Sequence, residues 1–124
     1  MKVFIDDIRK APEKYDLVFR NGDDFLKWKE ENEDVRIQLL SLDHDLGECC
    51  IDGYDIVKRL VSDHVFNIDI IQFHTDNIVG MKNMYMYLRS AKVAGVIPET
   101  TNIIKRKVVC IDGNEHFASY DVIQ

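Results

Sequence analysis

The sequence of 124 residues has no long hydrophobic run, and nothing in it approaches the roughly 18 apolar residues that a membrane span requires. Its first ten residues, MKVFIDDIRK, lack the apolar core of a secretion signal. Internal repeats, low-complexity segments and linkers are also absent. A chain of this length is expected to form one domain with no membrane partner.

Cysteine is scarce as well. The chain has three cysteines, an odd number, and two of them, Cys49 and Cys50, are adjacent. This pattern is neither a disulfide framework nor the spacing of zinc ligands. We therefore expect reduced thiols and a cytoplasmic protein.

Basic residues are outnumbered, with 16 Lys and Arg against 22 Asp and Glu, for a net charge of -6. An acidic chain is not expected to bind duplex DNA or anionic membranes through general electrostatic attraction. An anionic ligand would need a metal ion or a local group of cations. The densest basic run is 105–107, which predicts either charge compensation for a substrate or an edge strand protected by charge.

What the chain does have is an alternation of apolar runs and amphipathic stretches. The pattern predicts strands at 2–6, 16–21, 35–42 and 68–73, and helices at 24–32, 54–63 and 80–94. Asp23 or Asp24 is the expected cap of the first helix. Apolar strands that alternate with such helices are typical of a parallel sheet covered on both faces.

The last part of the chain has a different pattern. Residues 103–111 and 116–123 flank an Asp-Gly-Asn turn at 112–114, which predicts a β-hairpin that adds antiparallel strands at an edge. We therefore divide the chain into an α/β unit at 1–98 and a C-terminal β-hairpin extension of the same domain at 99–124.

Polar residues gather at the end of three predicted strands. They are Asp6-Asp7, Asp43-His44-Asp45 and His74-Thr75-Asp76-Asn77. Ligands of open parallel sheets bind beyond the carboxyl ends of the strands. One such group alone is commonly a solvated strand end or a helix cap, but three at the same edge favour a functional site. If the strand persists past residue 42, Asp43 and Asp45 lie on one side and His44 on the other.

Converging carboxylates cannot all ionise without help, so one pKa rises or a cation neutralises them. Oxygen ligands of this kind suit Mg²⁺ or Mn²⁺. The two histidines offer the alternative of general acid–base chemistry near neutral pH with little need for a metal. The residue types leave both mechanisms open.

The chain resembles response-regulator receiver domains in several places. Receivers have an acidic pair after the first strand and a phospho-accepting Asp after the third, which correspond to Asp6-Asp7 and Asp45. They also have an Asp-Gly beyond the accepting Asp and a hydroxyl residue after the fourth strand, which correspond to Asp52-Gly53 and Thr75. The helix between the first two strands is missing. No strand like a receiver's fifth, which ends in Lys, is evident, since 105–107 falls in the expected hairpin.

A closer resemblance is to the receiver-derived family of cyclic-phosphate processing receiver domains. It is carried by DDIRKAP at 6–12, SLDHDLG at 41–47, GYD at 53–55 and HTDNIVGMKNM at 74–84, and it covers about residues 1–98. It implies a single-domain, receiver-like (flavodoxin-like) α/β sandwich. It also implies a phosphoesterase that hydrolyses a cyclic phosphate on a nucleotide, an oligonucleotide or an RNA end.

The resemblance also implies roles for individual residues. The catalytic candidates are His44, His74, Asp43 and Asp45. The substrate-binding candidates are Arg9, Thr75 and Asn77, and a guanidinium such as that of Arg9 pairs well with phosphate oxygens. The candidate ligands of a divalent metal, Mg²⁺ or Mn²⁺, are Asp6, Asp7, Asp43 and Asp45. Two other functions stay open: a phospho-accepting receiver domain, and a nucleotide-binding module that sequesters its ligand without turning it over.

Overall fold

The computed structural model describes residues 1–47, 51–63, 65–118 and 121–122. The strands are β1 (Lys2–Ile5), β2 (Leu17–Phe19), β3 (Ile37–Leu42), β4 (Ile68–Phe73), β5 (Asn102–Lys105), β6 (Val108–Ile111), β7 (Asn114–Phe117) and β8 (Asp121–Val122). The helices are α1 (Gly22–Glu31), α2 (Gly53–Ser62) and α3 (Ile78–Val93). The expectation for Cys49 and Cys50 falls outside the described residues, whereas Cys110 is a free, exposed thiol.

Each helix begins at a side chain that accepts a hydrogen bond from its first turn. Asn21 caps α1, Asp52 caps α2 in a capping box with Asp55, and Asn77 caps α3. The expectation that Asp23 or Asp24 caps α1 is wrong, because both lie in the first turn, where they complement the helix dipole. The longest helix, α3, has 16 residues, and no helix of the described ranges is long and apolar enough to cross a membrane.

The main sheet has the strand order β2-β1-β3-β4-β5-β8. The first five of these strands run parallel, and β8 pairs antiparallel with β5. Residues at the carboxyl ends are in register, since Ile5 pairs with Leu42 and Leu42 pairs with Phe73. The predicted receiver-like, flavodoxin-like fold with a mainly parallel sheet is confirmed.

The three helices pack on the same face of this sheet. Each helix lies in the connection between two parallel strands, and all three connections lead in the same direction along the strand order. Right-handed crossovers that lead in one direction place their helices on the same side of the sheet. The core lies between, with side chains such as Leu40, Ile71 and Leu88 fully buried. Cover on both faces was predicted, but the described part of the chain supplies no helix to the second face, where Tyr15 packs against Phe4.

The C-terminal part contains a hairpin, but a shorter one than predicted. The segment 102–105 is not a hairpin strand; it is a fifth parallel strand, and it ends in Lys105 as a receiver's fifth strand does. The hairpin pairs β6 with β7 around Asp112 and Gly113, both with positive φ, as a tight hairpin turn requires. Residues 119, 120 and 123 of the predicted second strand lie outside the described residues. The domain division at residue 98 stays a prediction.

Candidate functional site

Three strand ends bring three titratable side chains together. Asp6 follows β1, Asp43 follows β3 and His74 follows β4, and backbone hydrogen bonds of 3.1 Å continue the register from Asp43 N to Ile5 O and from His74 N to Leu42 O. A potential ligand atom of each residue lies within 4.8 Å of the other two. All three residues are buried, so the sheet edge holds a carboxylate pair and an imidazole away from water.

His74 has no exposed surface, and both of its ring nitrogens are hydrogen bonded. Its Nε2 donates to Asp6 Oδ2 at 3.0 Å, since a carboxylate oxygen only accepts. Its Nδ1 lies 2.7 Å from Ser41 Oγ, and Gln72 Nε2 donates to that same oxygen at 2.9 Å. The ring stacks on Phe4 with an interplanar angle of 5°. A buried chain of hydrogen bonds that runs from Gln72 through Ser41 and His74 therefore fixes the position of Asp6.

Asp6 is held in its ionised form. Burial alone would raise the pKa of its carboxyl, but the hydrogen bonds from His74 and from the backbone N–H groups of Arg9 and Ile8 hold this pKa at about 2. Those backbone donors reach Asp6 Oδ1 at 2.9 and 3.0 Å. The backbone that follows Asp6 thus turns back and donates two hydrogen bonds to its carboxylate.

The guanidinium of Arg9 is the cation of the site. Its Nη1 lies 3.3 Å from Asp6 Oδ2 and 3.5 Å from Asp43 Oδ2, and its Nη2 donates to Asp76. Burial and the charge of Asp6 raise the pKa of the Asp43 carboxyl, while Thr75, His74 and Arg9 lower it less. Arg9 therefore neutralises only part of the charge that the strand ends collect.

The same carboxylates suit a hard divalent cation. Receiver domains bind Mg²⁺ through acidic residues, and the oxygens of Asp6 and Asp43 have the chemistry that Mg²⁺ or Mn²⁺ requires. His74 could join them only in the tautomer that donates from Nδ1 to Ser41, because its Nε2 now donates to Asp6. A metal there would compete with the guanidinium of Arg9. The residues present therefore fit a metal that is held mainly by the two aspartates.

A second group of side chains lies around His44, whose side chain is 14% exposed. Its Nδ1 is 3.0 Å from Asp45 Oδ1 and 3.3 Å from Asn77 Nδ2. Donation to the carboxylate is the shorter of these contacts, and Nε2, which lies 3.7 Å from Asp52 Oδ2, is then the nitrogen that can accept a proton. The main-chain N–H of His44 donates to Asp43 Oδ1 at 2.8 Å. Asp43 thus contacts both the histidine segment and the guanidinium of Arg9.

Two glycines allow this close packing. A Cβ on Gly80, in the first turn of α3, would lie 2.4 Å from Cδ2 of His44. A Cβ on Gly53, at the start of α2, would lie 2.2 Å from the carbonyl oxygen of Asp43. Both helices can therefore approach the segment after β3 only because these positions lack a side chain.

The structure brings most of the predicted site residues to one edge but divides them in two. Asp6, Asp43, His74, Arg9 and Thr75 form the inner group, while His44, Asp45 and Asn77 form the outer one. Among the described residues, Asp7 and Asp45 are not part of the cluster that could hold a metal. The condition for alternation past residue 42 is not met, since β3 ends at Leu42 and Asp45 contacts His44.

Sequence reasoning missed three residues that shape the site. Ser41 and Gln72 are polar residues that directly precede the last apolar residue of β3 and of β4, and this was the signal that could have found them. Both occupy positions that period-two geometry places on the same side as Asp43 and His74, respectively. Asp76, which binds Arg9, belongs to the third polar group of the sequence, but it was not among the predicted site residues.

A parallel sheet whose carboxyl edge carries an aspartate after β1, another after β3 and a hydroxyl residue after β4 defines a receiver-like domain. The profile of the cyclic-phosphate processing receiver domain matches residues 1–90, and the chain belongs to that family. No curated protein matches the chain. No solved structure matches it either.

Proposed function

We propose that this chain hydrolyses a cyclic phosphate on a nucleotide, an oligonucleotide or an RNA end. The observation that carries the proposal is the contact of one carboxylate, that of Asp43, with both Arg9 and the His44 segment at the ligand-binding edge of the sheet. The guanidinium that would bind phosphate oxygens and the main chain of the histidine that would act as a base therefore contact the same carboxylate. The family's name, with its reference to cyclic-phosphate processing, supports this choice of reaction.

In this reaction water attacks phosphorus, one ester P–O bond of the ring breaks, and the departing oxygen takes up a proton. The product is a phosphate monoester beside a free hydroxyl. We assign the proton transfers to His44, because its Nδ1 is held by Asp45 and its side chain is partly exposed. Asp45 keeps the ring in one orientation, as the partner of a catalytic base does, and Asn77 Nδ2 donates to the other oxygen of Asp45 at 3.5 Å.

The charge on the phosphate is met by Arg9, whose outer nitrogen is bound to the exposed Asp76 and can exchange that carboxylate for a phosphate oxygen. Thr75 and Asn77 stand next to this position in the chain and supply polar groups for the remaining oxygens. A metal bound by Asp6 and Asp43 would supply further charge stabilisation and would lower the pKa of the attacking water.

We assign His74 a positioning role. With no exposed surface, it cannot reach a substrate directly, and it fixes Asp6 through a 3.0 Å hydrogen bond. His74→Asn is therefore expected to lower the stability of the fold and the affinity for a metal, rather than to change the proton transfer alone.

A second candidate function is that of a phospho-accepting receiver. The observation that favours it is that Asp43, next to Asp6, receives a hydrogen bond from Thr75 and that the newly found β5 ends in Lys105. Against it, Asp43 is only 5% exposed and is contacted by Arg9. Labelling with acetyl phosphate, abolished by Asp43→Asn, would support the receiver function.

The test is turnover of cyclic mononucleotides and of RNA with a cyclic-phosphate end, with Mn²⁺ and with a chelator. His44→Asn is expected to lower turnover by roughly 10²–10⁴-fold, the usual effect of a general base or acid. His116→Asn is the matched control, because His116 lies on the exposed hairpin strand β7. Equal activity of His44→Asn and the wild type would contradict the assignment.

A further inference from the structure

A cavity of about 570 Å³ opens beside the inner group of the site. Its walls come from the segment after β4, the first turn of α3, and the segment from Lys105 to Cys110 that ends β5 and begins the hairpin. This volume lies in the range of sites that hold nucleotide-sized molecules. The whole of this last wall lies beyond residue 90, where the family match ends.

One segment belongs to both the cavity and the reacting centre. Thr75 and Asp76 line the cavity, while Thr75 hydrogen bonds to Asp43 and Asp76 binds the guanidinium of Arg9. A molecule that fills the cavity and ends in a phosphate at Thr75 therefore has that phosphate next to Arg9. The cavity and the centre are thus two parts of one continuous site.

The lining suits a flat, weakly polar group that carries a negative charge at one end. Ile78, Met81 and Val108 supply aliphatic surface, and Ile78 leaves 66% of its surface exposed although it is a large apolar residue. Lys105 and Lys107 add positive charge on the hairpin side, in a chain whose net charge is -6. The base and ribose of a nucleotide present apolar faces of this kind next to a charged phosphate.

We propose that this cavity binds the nucleoside portion of the cyclic-phosphate substrate, so that the C-terminal hairpin helps to select a nucleoside cyclic phosphate over a simpler cyclic phosphate. The inference rests on the proposed hydrolysis for its reacting centre, but it makes a separate claim about binding. The ligand class is a nucleoside that carries a cyclic phosphate, whether as a free nucleotide or at the end of an RNA.

The test compares two exposed residues in the same turn of α3. Ile78 lines the cavity and is 66% exposed, whereas Val79 is 70% exposed and does not line it. Because both side chains are largely in water, Ile78→Gln and Val79→Gln are each expected to fold. The probes are 2′,3′-cyclic AMP, 3′,5′-cyclic AMP, a short RNA that ends in a 2′,3′-cyclic phosphate, and glycerol 1,2-cyclic phosphate, which has no nucleoside.

Affinity is measured by calorimetry on each variant in a His44→Asn background, in which turnover is expected to be too slow to deplete the probe. Ile78→Gln is expected to weaken binding of the nucleoside probes by about tenfold, the usual effect of a lost apolar contact in a pocket. It should leave glycerol 1,2-cyclic phosphate unchanged, and Val79→Gln should leave all four probes unchanged. Tight binding of the free nucleotides but not of the RNA, or the reverse, identifies the source of the substrate.

The two proposals fail in different ways. If wild type binds nucleoside cyclic phosphates through Ile78 but hydrolyses none of them, the cavity assignment stands and the phosphoesterase proposal is wrong. If wild type hydrolyses glycerol 1,2-cyclic phosphate as well as the nucleotides, and Ile78→Gln weakens none of the probes, the cavity assignment is wrong. Absence of binding by all nucleoside probes, or equal losses in Ile78→Gln and Val79→Gln, would also overturn it.

Discussion

The replacement Arg9→Gln tests how much the fold depends on one guanidinium. It removes the charge that lies 3.3 Å from Asp6 and 3.5 Å from Asp43, and two buried carboxylates lose this partner. The pKa of Asp43 is already raised by burial and by the charge of Asp6, and it should rise further without Arg9. We therefore expect a clear loss of stability at neutral pH.

The size of this loss follows from two opposing effects. At an effective dielectric constant near 20, a charge pair at these distances attracts with roughly 5 kcal/mol. The cost of removing the arginine from water cancels much of this attraction, and breaking a buried pair typically costs about 3–5 kcal/mol. The Arg9 side chain is 20% exposed, so water screens it in part. We expect a loss of about 2–3 kcal/mol in the free energy of unfolding.

The assay is urea unfolding at pH 7 with a chelator and then with Mn²⁺. Arg36→Gln is the matched control, because Arg36 pairs with Asp69 at the surface with 72% of its side chain exposed. Such a surface pair contributes little to stability, because water screens both charges. Mn²⁺ should stabilise Arg9→Gln more than the wild type, because the metal no longer competes with a guanidinium. Equal losses in Arg9→Gln and Arg36→Gln, or equal gains with Mn²⁺, would refute the reasoning.

Three further predictions concern the same edge of the sheet. Asp6→Asn should lower the free energy of unfolding by about 2 kcal/mol near pH 7, because only the ionised carboxylate is favoured by the fold. The difference from wild type should shrink as the pH falls through the folded-state pKa of about 2. Acid titration of both proteins by circular dichroism measures this difference, and a constant difference would contradict the prediction. Gly80→Ala should lower turnover by displacing His44, which the imidazole NMR signals would report, whereas unmoved signals would show that the ring has room. Millimolar Mn²⁺ should raise the melting temperature of wild type, and Asp6→Ala together with Asp43→Ala should abolish this rise if these carboxylates hold the ion.

The positions of the helices and of most strands could be predicted from the local sequence. Apolar residues at helical spacing lie on the buried side of α2 and α3, and Ile68–Phe73 is a strand with the predicted bounds. Polar residues directly after apolar strands indicated the edge of the site, because charged side chains are rarely found inside a buried strand. Local pattern therefore determined the elements and the edge at which the site lies.

Strand pairing was beyond the reach of local pattern. The composition of Asn102–Lys105 suits a hairpin strand as well as a parallel strand. Only pairing with Ile70–Phe73, about 30 residues earlier in the chain, makes this segment the fifth parallel strand. The covering of the sheet depends likewise on strand order. Three connections that step in one direction put all the helices on one face.

The division of the site into an inner and an outer group also needed the tertiary structure. The sequence DHD places three titratable side chains side by side, but β3 ends at Leu42, so Asp43 turns towards Asp6 and Arg9 while His44 and Asp45 contact each other. The sequence alone thus determined which chemical groups stand at this edge. Their distances, their burial and the buried hydrogen bonds that hold them depend on strand register and helix packing, which bring together residues far apart in the chain.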